Sequence, residues 1–143
     1  YWRDWSSDVC SSDLNMRALM DDRQRHLTDA QVREIARRDG IVGLNLYGKF
    51  LAAGRPATLA DAVRHVEHAA ALVGRARTGL GSDFDGGFAP ADCPDGCRRP
   101  EELGSLAGAL RQAGWNDGDV GGFTNANWLR TLRAQLSRRS PDR

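Results

Sequence analysis

Apolar residues recur at helical spacing in four places along this chain and run together in two. The first helical set is Val32, Ile35 and Ala36. Leu27-Thr28-Asp29-Ala30-Gln31-Val32 precedes it, with Thr28 as N-cap, Gln31 completing a capping box, and Leu27 and Val32 in the staple positions. Arg37 and Arg38 suit its C-terminal dipole, and Gly40 is expected as its C-terminal cap. Ile41 to Tyr47 is then apolar except for Asn45, the pattern of a central strand covered on both faces. Past a Gly54-Arg55-Pro56 turn, Thr58 caps a second helix carrying Leu59, Ala62, Val63, Val66, Ala69, Ala70 and Val73, with Gly74 at its end. Arg77 to Ser82 reads as a second buried strand.

Further on, Pro100 suits a first helical turn, Leu103, Leu106 and Leu110 share a face, and Gly114 closes that helix. Asp117 to Val120 reads as a short helical turn. Thr124 to Leu136 reads as a last helix with Trp128, Leu129, Leu132 and Leu136 on one side, followed by a charged tail at 138–143. Helix, strand, helix, strand, then helices is the order of parallel β/α units. Two strands alone make neither a barrel nor a comfortable sheet, so the architecture is expected to be incomplete.

The first fourteen residues break the pattern. Asp4 to Leu14 has no helical or strand periodicity and repeats Ser-Ser-Asp. It resembles the translation of a common sequencing-library adapter, so residues 1–14 are expected to be an adapter or assembly scar and are set aside. On that expectation, the native protein starts upstream and residues 15–137 are its C-terminal portion.

Composition narrows the classes. The 143 residues suffice for one domain, and a net charge of +1 gives no electrostatic case for nucleic acid or an anionic membrane. No apolar run is long enough to span a bilayer. Three cysteines form no metal-binding pattern, and Cys93-Pro-Asp-Gly-Cys97 is expected as a reduced surface pair.

Candidate chemistry gathers at Gly79-Leu80-Gly81-Ser82-Asp83-Phe84-Asp85-Gly86-Gly87. Two carboxylates one residue apart follow an apolar run, at the strand end where parallel α/β folds place their chemistry. Alternation along a strand lets only one of Asp83 and Asp85 point into a shared site. The glycines permit sharp turning and close approach, although Asp and Gly also dominate ordinary turns. Asn45 is either a hydrogen-bonded core amide or a site residue. His65 and His68 lie one turn apart but lack an acid placed to share a metal, since Glu67 faces elsewhere; packing or surface roles are expected.

Several of these pieces together resemble the membrane (renal-type) dipeptidase family, the M19 metallopeptidases. The resemblance lies in Asn15-Met-Arg-Ala-Leu19, Arg25-His-Leu-Thr-Asp29, Gly43-Leu-Asn-Leu-Tyr47, the Leu59–Gly74 helix, Gly79-Leu-Gly-Ser-Asp-Phe-Asp-Gly86 and Asn127-Trp-Leu-Arg130. It implies the C-terminal part of a (β/α)8 TIM-type barrel, incomplete in this chain, with two zinc ions (Zn2+) per intact parent at the carboxyl end. It implies hydrolysis of a dipeptide substrate, some members accepting a D-residue, and is compatible with a homodimer of the intact parent.

Three positions match the family's site. Asp83 matches the aspartate assigned to proton transfer on the tetrahedral intermediate. Arg25 matches the arginine that holds the substrate carboxylate, with Arg23 as an alternative because Asp21–Arg25 is one residue longer than the family pattern. Phe50 falls where some members place a tyrosine near the substrate, so a hydroxyl contact there would be missing. The family's metal ligands, a His-x-Asp pair, a bridging glutamate and two later histidines, have no match here; Asp13 stands where the last histidine would be. The expected function is therefore a zinc-dependent dipeptidase in the parent, with this chain inactive by itself. The rival readings are a non-catalytic binding remnant of a barrel hydrolase, and another barrel hydrolase with a mononuclear site.

Overall fold

The computed structural model describes residues 10–11, 15–20, 26–84 and 86–138. Among these residues, three parallel strands form one sheet in the order β1-β2-β3: β1 is Cys10–Ser11, β2 is Ile41–Asn45 and β3 is Thr78–Ser82. β1 falls within the stretch set aside above and pairs with Ile41 and Val42, so the sheet has one more strand than the pattern predicts. A two-residue strand carries no readable alternation, which is why it escaped notice. β2 is the central strand and is buried along its whole length, as its apolar run requires. β3 is buried at Thr78 and Gly79 and only partly covered from Leu80 onward.

Helix α1 (Asp29–Arg37) leads into β2, and α2 (Leu59–Val73) leads into β3. Both start with complete capping boxes, Thr28 with Gln31 and Thr58 with Asp61, each satisfying donors that the first helical turn leaves open. Leu27 and Val32 are buried in the same cluster, as a hydrophobic staple demands. The end of α1 differs from expectation. Asp39, not Gly40, takes the left-handed conformation (φ 62°), and Gly40 donates back to the Ile35 carbonyl at 2.8 Å. That is a Schellman closure with aspartate at its turning point, a residue type that tolerates this region better than most. α2 ends as expected at Gly74, with φ 86°.

Helix α3 (Leu103–Gln112) follows a 3-10 turn opened by Pro100, and Gly114 (φ 91°) turns the chain after it. Asn116 caps the short α4 (Asp117–Gly121). Gly122–Ala126 is a π-helical segment, and α5 (Asn127–Arg138) completes the described chain. The expected leucine face of α5 is not its buried face. Leu129, Leu132 and Leu136 are 43%, 46% and 66% exposed, whereas Asn127 and Thr131 are buried. Asn127 explains this orientation: its amide donates to the Thr78 and Arg75 carbonyls at 2.9 and 3.1 Å, fastening α5 to the start of β3.

Two apolar clusters pack against the sheet, and α2 contributes to both. The larger joins Leu44, Leu46, Leu51, Ala62, Val66, Leu106, Leu110, Trp115 and Phe123; the smaller joins Met16, Leu27, Val32, Ile35, Val42 and Ala69. Cys93 and Cys97 are free thiols as expected, but they are buried and not at the surface. Cys97 packs in the larger cluster, and burial pushes its thiol up to about 11.

Candidate active site

The sheet's carboxyl end is where the described chemistry converges. β3 stops at Ser82, and the backbone then leaves the strand conformation: Ser82 and Asp83 both have positive φ, 41° and 64°. The Asp83 N–H closes a three-residue turn onto the Gly81 carbonyl at 2.6 Å. Strand alternation therefore does not reach Asp83, contrary to the simple reading of the Asp83/Asp85 pair, and Asp85 lies outside the described residues. Two non-glycine residues in the left-handed region at a strand end form an uncommon arrangement that surrounding contacts must hold.

That hold comes from β2. The Asn45 side-chain amide donates from Nδ2 to Asp83 Oδ2 at 2.8 Å, while its Oδ1 accepts the Tyr47 N–H at 2.7 Å. Asn45 is fully buried, and its backbone is itself clasped by Asn15. The Asn45 N–H donates to Asn15 Oδ1 at 3.2 Å, and Asn15 Nδ2 donates to the Asn45 and Phe50 carbonyls at 3.1 and 3.3 Å. Asn45 is thus both of the things its sequence context allows, a satisfied core amide and a partner of the candidate acid. Asn15 was not predicted as a site residue. A buried-amide role leaves no periodic signal, and only its place in the Asn15–Leu19 motif drew attention to it.

Phe50 lies in the 3-10 turn Gly48–Phe50 that follows β2. Its ring meets Tyr47 edge-on at 4.9 Å and His26 edge-on at 5.7 Å, and Tyr47 in turn stacks on Phe88 at 4.7 Å. Phe88 belongs to the segment after Asp83, so this aromatic row bridges the loops that follow β2 and β3. Phe50 and Asp83 are linked through Asn15 and Asn45. Arg25, and its alternative Arg23, lie outside the described residues. A cleft of about 440 Å³ lined by Lys49, Arg55, Asp92, Cys93 and Arg98, among others, is a separate feature that Asp83 does not line.

The histidines of α2 are committed to the fold. His65 is buried; its Nδ1 accepts the Met16 N–H at 2.9 Å, which leaves Nε2 protonated and facing the Leu51 carbonyl at 3.3 Å. Burial lowers its pKa to about 4, so the ring is neutral at pH 7. His68 pairs with Asp29 at 2.8 Å between α2 and the start of α1. Glu67 accepts the indole N–H of Trp115. Among the described residues, no three or more His, Cys, Asp or Glu side chains are grouped to hold a metal ion. The donors described here therefore do not fit a resident metal.

The model of the membrane dipeptidase family, peptidase family M19, matches residues 8–142. The chain belongs to this family. An uncharacterized protein from the pqqA 5' region of Klebsiella pneumoniae is 33% identical over 138 residues, covering 90% of this chain and 47% of that protein. The dipeptidase aclJ of Aspergillus oryzae is 32% identical over 110 residues, covering 76% of this chain and 25% of that protein. Among solved structures, a metallo peptidase from Rhodobacter sphaeroides liganded with a phosphinate mimic of the dipeptide L-Ala-D-Ala superposes with a TM-score of 0.77 at 30% identity. It matches 87% of this chain and 35% of its own. The chain spans less than half the length of each of these relatives.

Proposed function

We propose that the protein to which this chain belongs is a zinc-dependent dipeptidase built on a (β/α)8 barrel, in which Asp83 is the acid-base group. The observation that carries this reading is the placement of Asp83 at the carboxyl end of β3, turned off the strand and gripped by Asn45. Family membership and the dipeptide-like ligand of the Rhodobacter sphaeroides relative support the substrate class.

In this reading, a water molecule adds to the peptide carbonyl carbon and gives up a proton to Asp83. The C–N bond then breaks as Asp83 returns that proton to the departing amine, leaving a free acid and a free amine. Arg25 would pair its guanidinium fork with the substrate's terminal carboxylate, which selects short peptides. Phe50 would flank the substrate through its ring, without a hydroxyl. The metal would rest on residues other than those described.

The test is amino-acid release from Gly-Leu and L-Ala-D-Ala by the full-length protein, with and without a chelator. Release that the chelator abolishes, and that Asp83→Asn lowers by about 10²-fold or more, supports the reading. Absence of hydrolysis in the zinc-loaded full-length protein overturns it. The 143-residue chain alone is expected neither to bind zinc stoichiometrically nor to cleave these peptides.

A further inference from the structure

We infer that Asn45 is a positioning residue for Asp83: its amide reserves Oδ2 and leaves Oδ1 as the oxygen that carries the proton. This rests on the acid-base reading of Asp83 proposed above.

The hydrogen-bond network settles which end of the amide faces the carboxylate. Tyr47 presents an N–H, so the Asn45 atom beside it is the oxygen, and the nitrogen must face Asp83. The amide cannot rotate away without also losing the Tyr47 bond. Nor can its backbone drift, because Asn15 holds both its N–H and its carbonyl. A register irregularity between Leu44 and Asn45 pairs Asn45 with Ser82, the residue just before Asp83. The strand end is thus shaped to bring this one side chain to the loop.

The two carboxylate oxygens differ in what surrounds them. Oδ2 takes the Asn45 bond. A Cβ added at Gly86 would collide with Oδ1 and lie 2.8 Å from Oδ2, so the whole carboxylate can lie against the loop only because a glycine stands there. The choice of donor also matters. A neutral amide can orient a carboxylate through a charge-assisted bond without neutralising it, and it has no titrating proton of its own to compete for the one in transfer. A lysine or arginine at the same place would offset the carboxylate's charge.

The experiment begins with the unmutated 143-residue chain, labelled with ¹⁵N and ¹³C. The Asn45 side-chain amide protons and the Asp83 carboxyl carbon are followed together by NMR as pH is lowered. One Asn45 amide proton is expected to move with the same midpoint as the Asp83 carboxyl, and to lose that response in Asp83→Asn. An Asn45 amide indifferent to Asp83 protonation overturns the inference, whatever any variant does.

Kinetics of the full-length protein on Gly-Leu supply the second readout. Asn45→Asp keeps an acceptor for Tyr47 but sets carboxylate against carboxylate. It is expected to lower kcat on the order of tenfold or more while KM stays within about twofold. An unchanged kcat overturns the inference. If the unmutated protein cleaves no dipeptide while the Asn45 amide still follows Asp83, the dipeptidase reading falls and the positioning stands.

Discussion

Trp128 on α5 donates its indole N–H to the carbonyl oxygen of Leu80 on β3 at 2.9 Å, with its ring laid against Gly79. A Cβ at Gly79 would collide with that indole nitrogen and stand 2.9 Å from Cδ1 of Ile41. The indole is pinned by its bond to Leu80, and the end of the Ile41 side chain is fully buried. The glycine is therefore a packing requirement of the joint between β3 and α5, separate from the turning role of the glycines after Asp83.

Gly79→Ala is accordingly expected to destabilise the chain by about 1–3 kcal/mol through overpacking. Urea unfolding of the purified variant checks this. A midpoint equal to that of the unmutated chain would show that Trp128 can move aside without cost.

His65 makes the fold sensitive to mild acid. Its pKa is lowered by burial to about 4 from an ordinary value of 6.5, so between those pH values the unfolded chain takes up a proton that the folded chain refuses. Stability therefore falls as pH drops from about 6.5 to about 4, by on the order of 3 kcal/mol for this group. In His65→Gln, which carries no titrating ring, the decline over this interval should shrink even though the variant starts less stable. An undiminished slope in chemical denaturation would assign the effect elsewhere.

Asp61 acts at lower pH. Arg55 grips its buried carboxylate with two bonds of 2.6 and 2.7 Å, and Thr58 adds capping-box contacts, holding the carboxyl well below the usual range. A lowered folded pKa gives stability that is complete above about pH 4 and lost as pH falls further. Asp61→Asn is expected to cost about 1–2 kcal/mol at pH 7 and to flatten the stability profile below pH 4. Equal acid sensitivity in the variant and its parent, measured by circular dichroism, would refute the assignment.

The exposed leucines of α5 predict behaviour in solution. Leu129, Leu132 and Leu136 form an exposed apolar row, and the sheet has three strands among the described residues. The chain is expected to self-associate as its concentration rises, and Leu132→Glu with Leu136→Lys should reduce that. Sedimentation velocity distinguishes the cases: a monomer at all concentrations before substitution would contradict the prediction.

Much of this was legible in residue order because local chemistry decides it. Thr28 with Gln31, and Thr58 by itself, announce helix starts, and the apolar run from Ile41, interrupted only by Asn45, announces a strand buried on both faces. What escaped is decided by partners far along the chain. The helical pattern of α5 was plain, but its rotation is set by Asn127 reaching 49 residues back to Thr78, so the polar side faces inward. At the site, the glycine-flanked loop marks Asp83 and Asp85 as a pair and only the family resemblance singles out Asp83, whereas the Asp83 bond to Asn45 depends on a pairing 38 residues apart. Asp39 displaced Gly40 at the end of α1 because Gly40 is buried there and closes the motif with its N–H.

The clasp around Asn15 and Met16 bears on the order in which the molecule assembles. Asn15 joins Asn45 and Phe50, and Met16 joins His65, partners 30 to 49 residues away. Each such contact closes a long loop, and closure costs entropy before any bond repays it. Helix α2 starts from its own capping box, whereas β2 gains its ladder only when β3 arrives, with Val42 opposite Thr78. The amide ladder beneath Asp83 is then a late arrival in folding: the carboxylate acquires its fixed aim only when the rest of the chain is already in place.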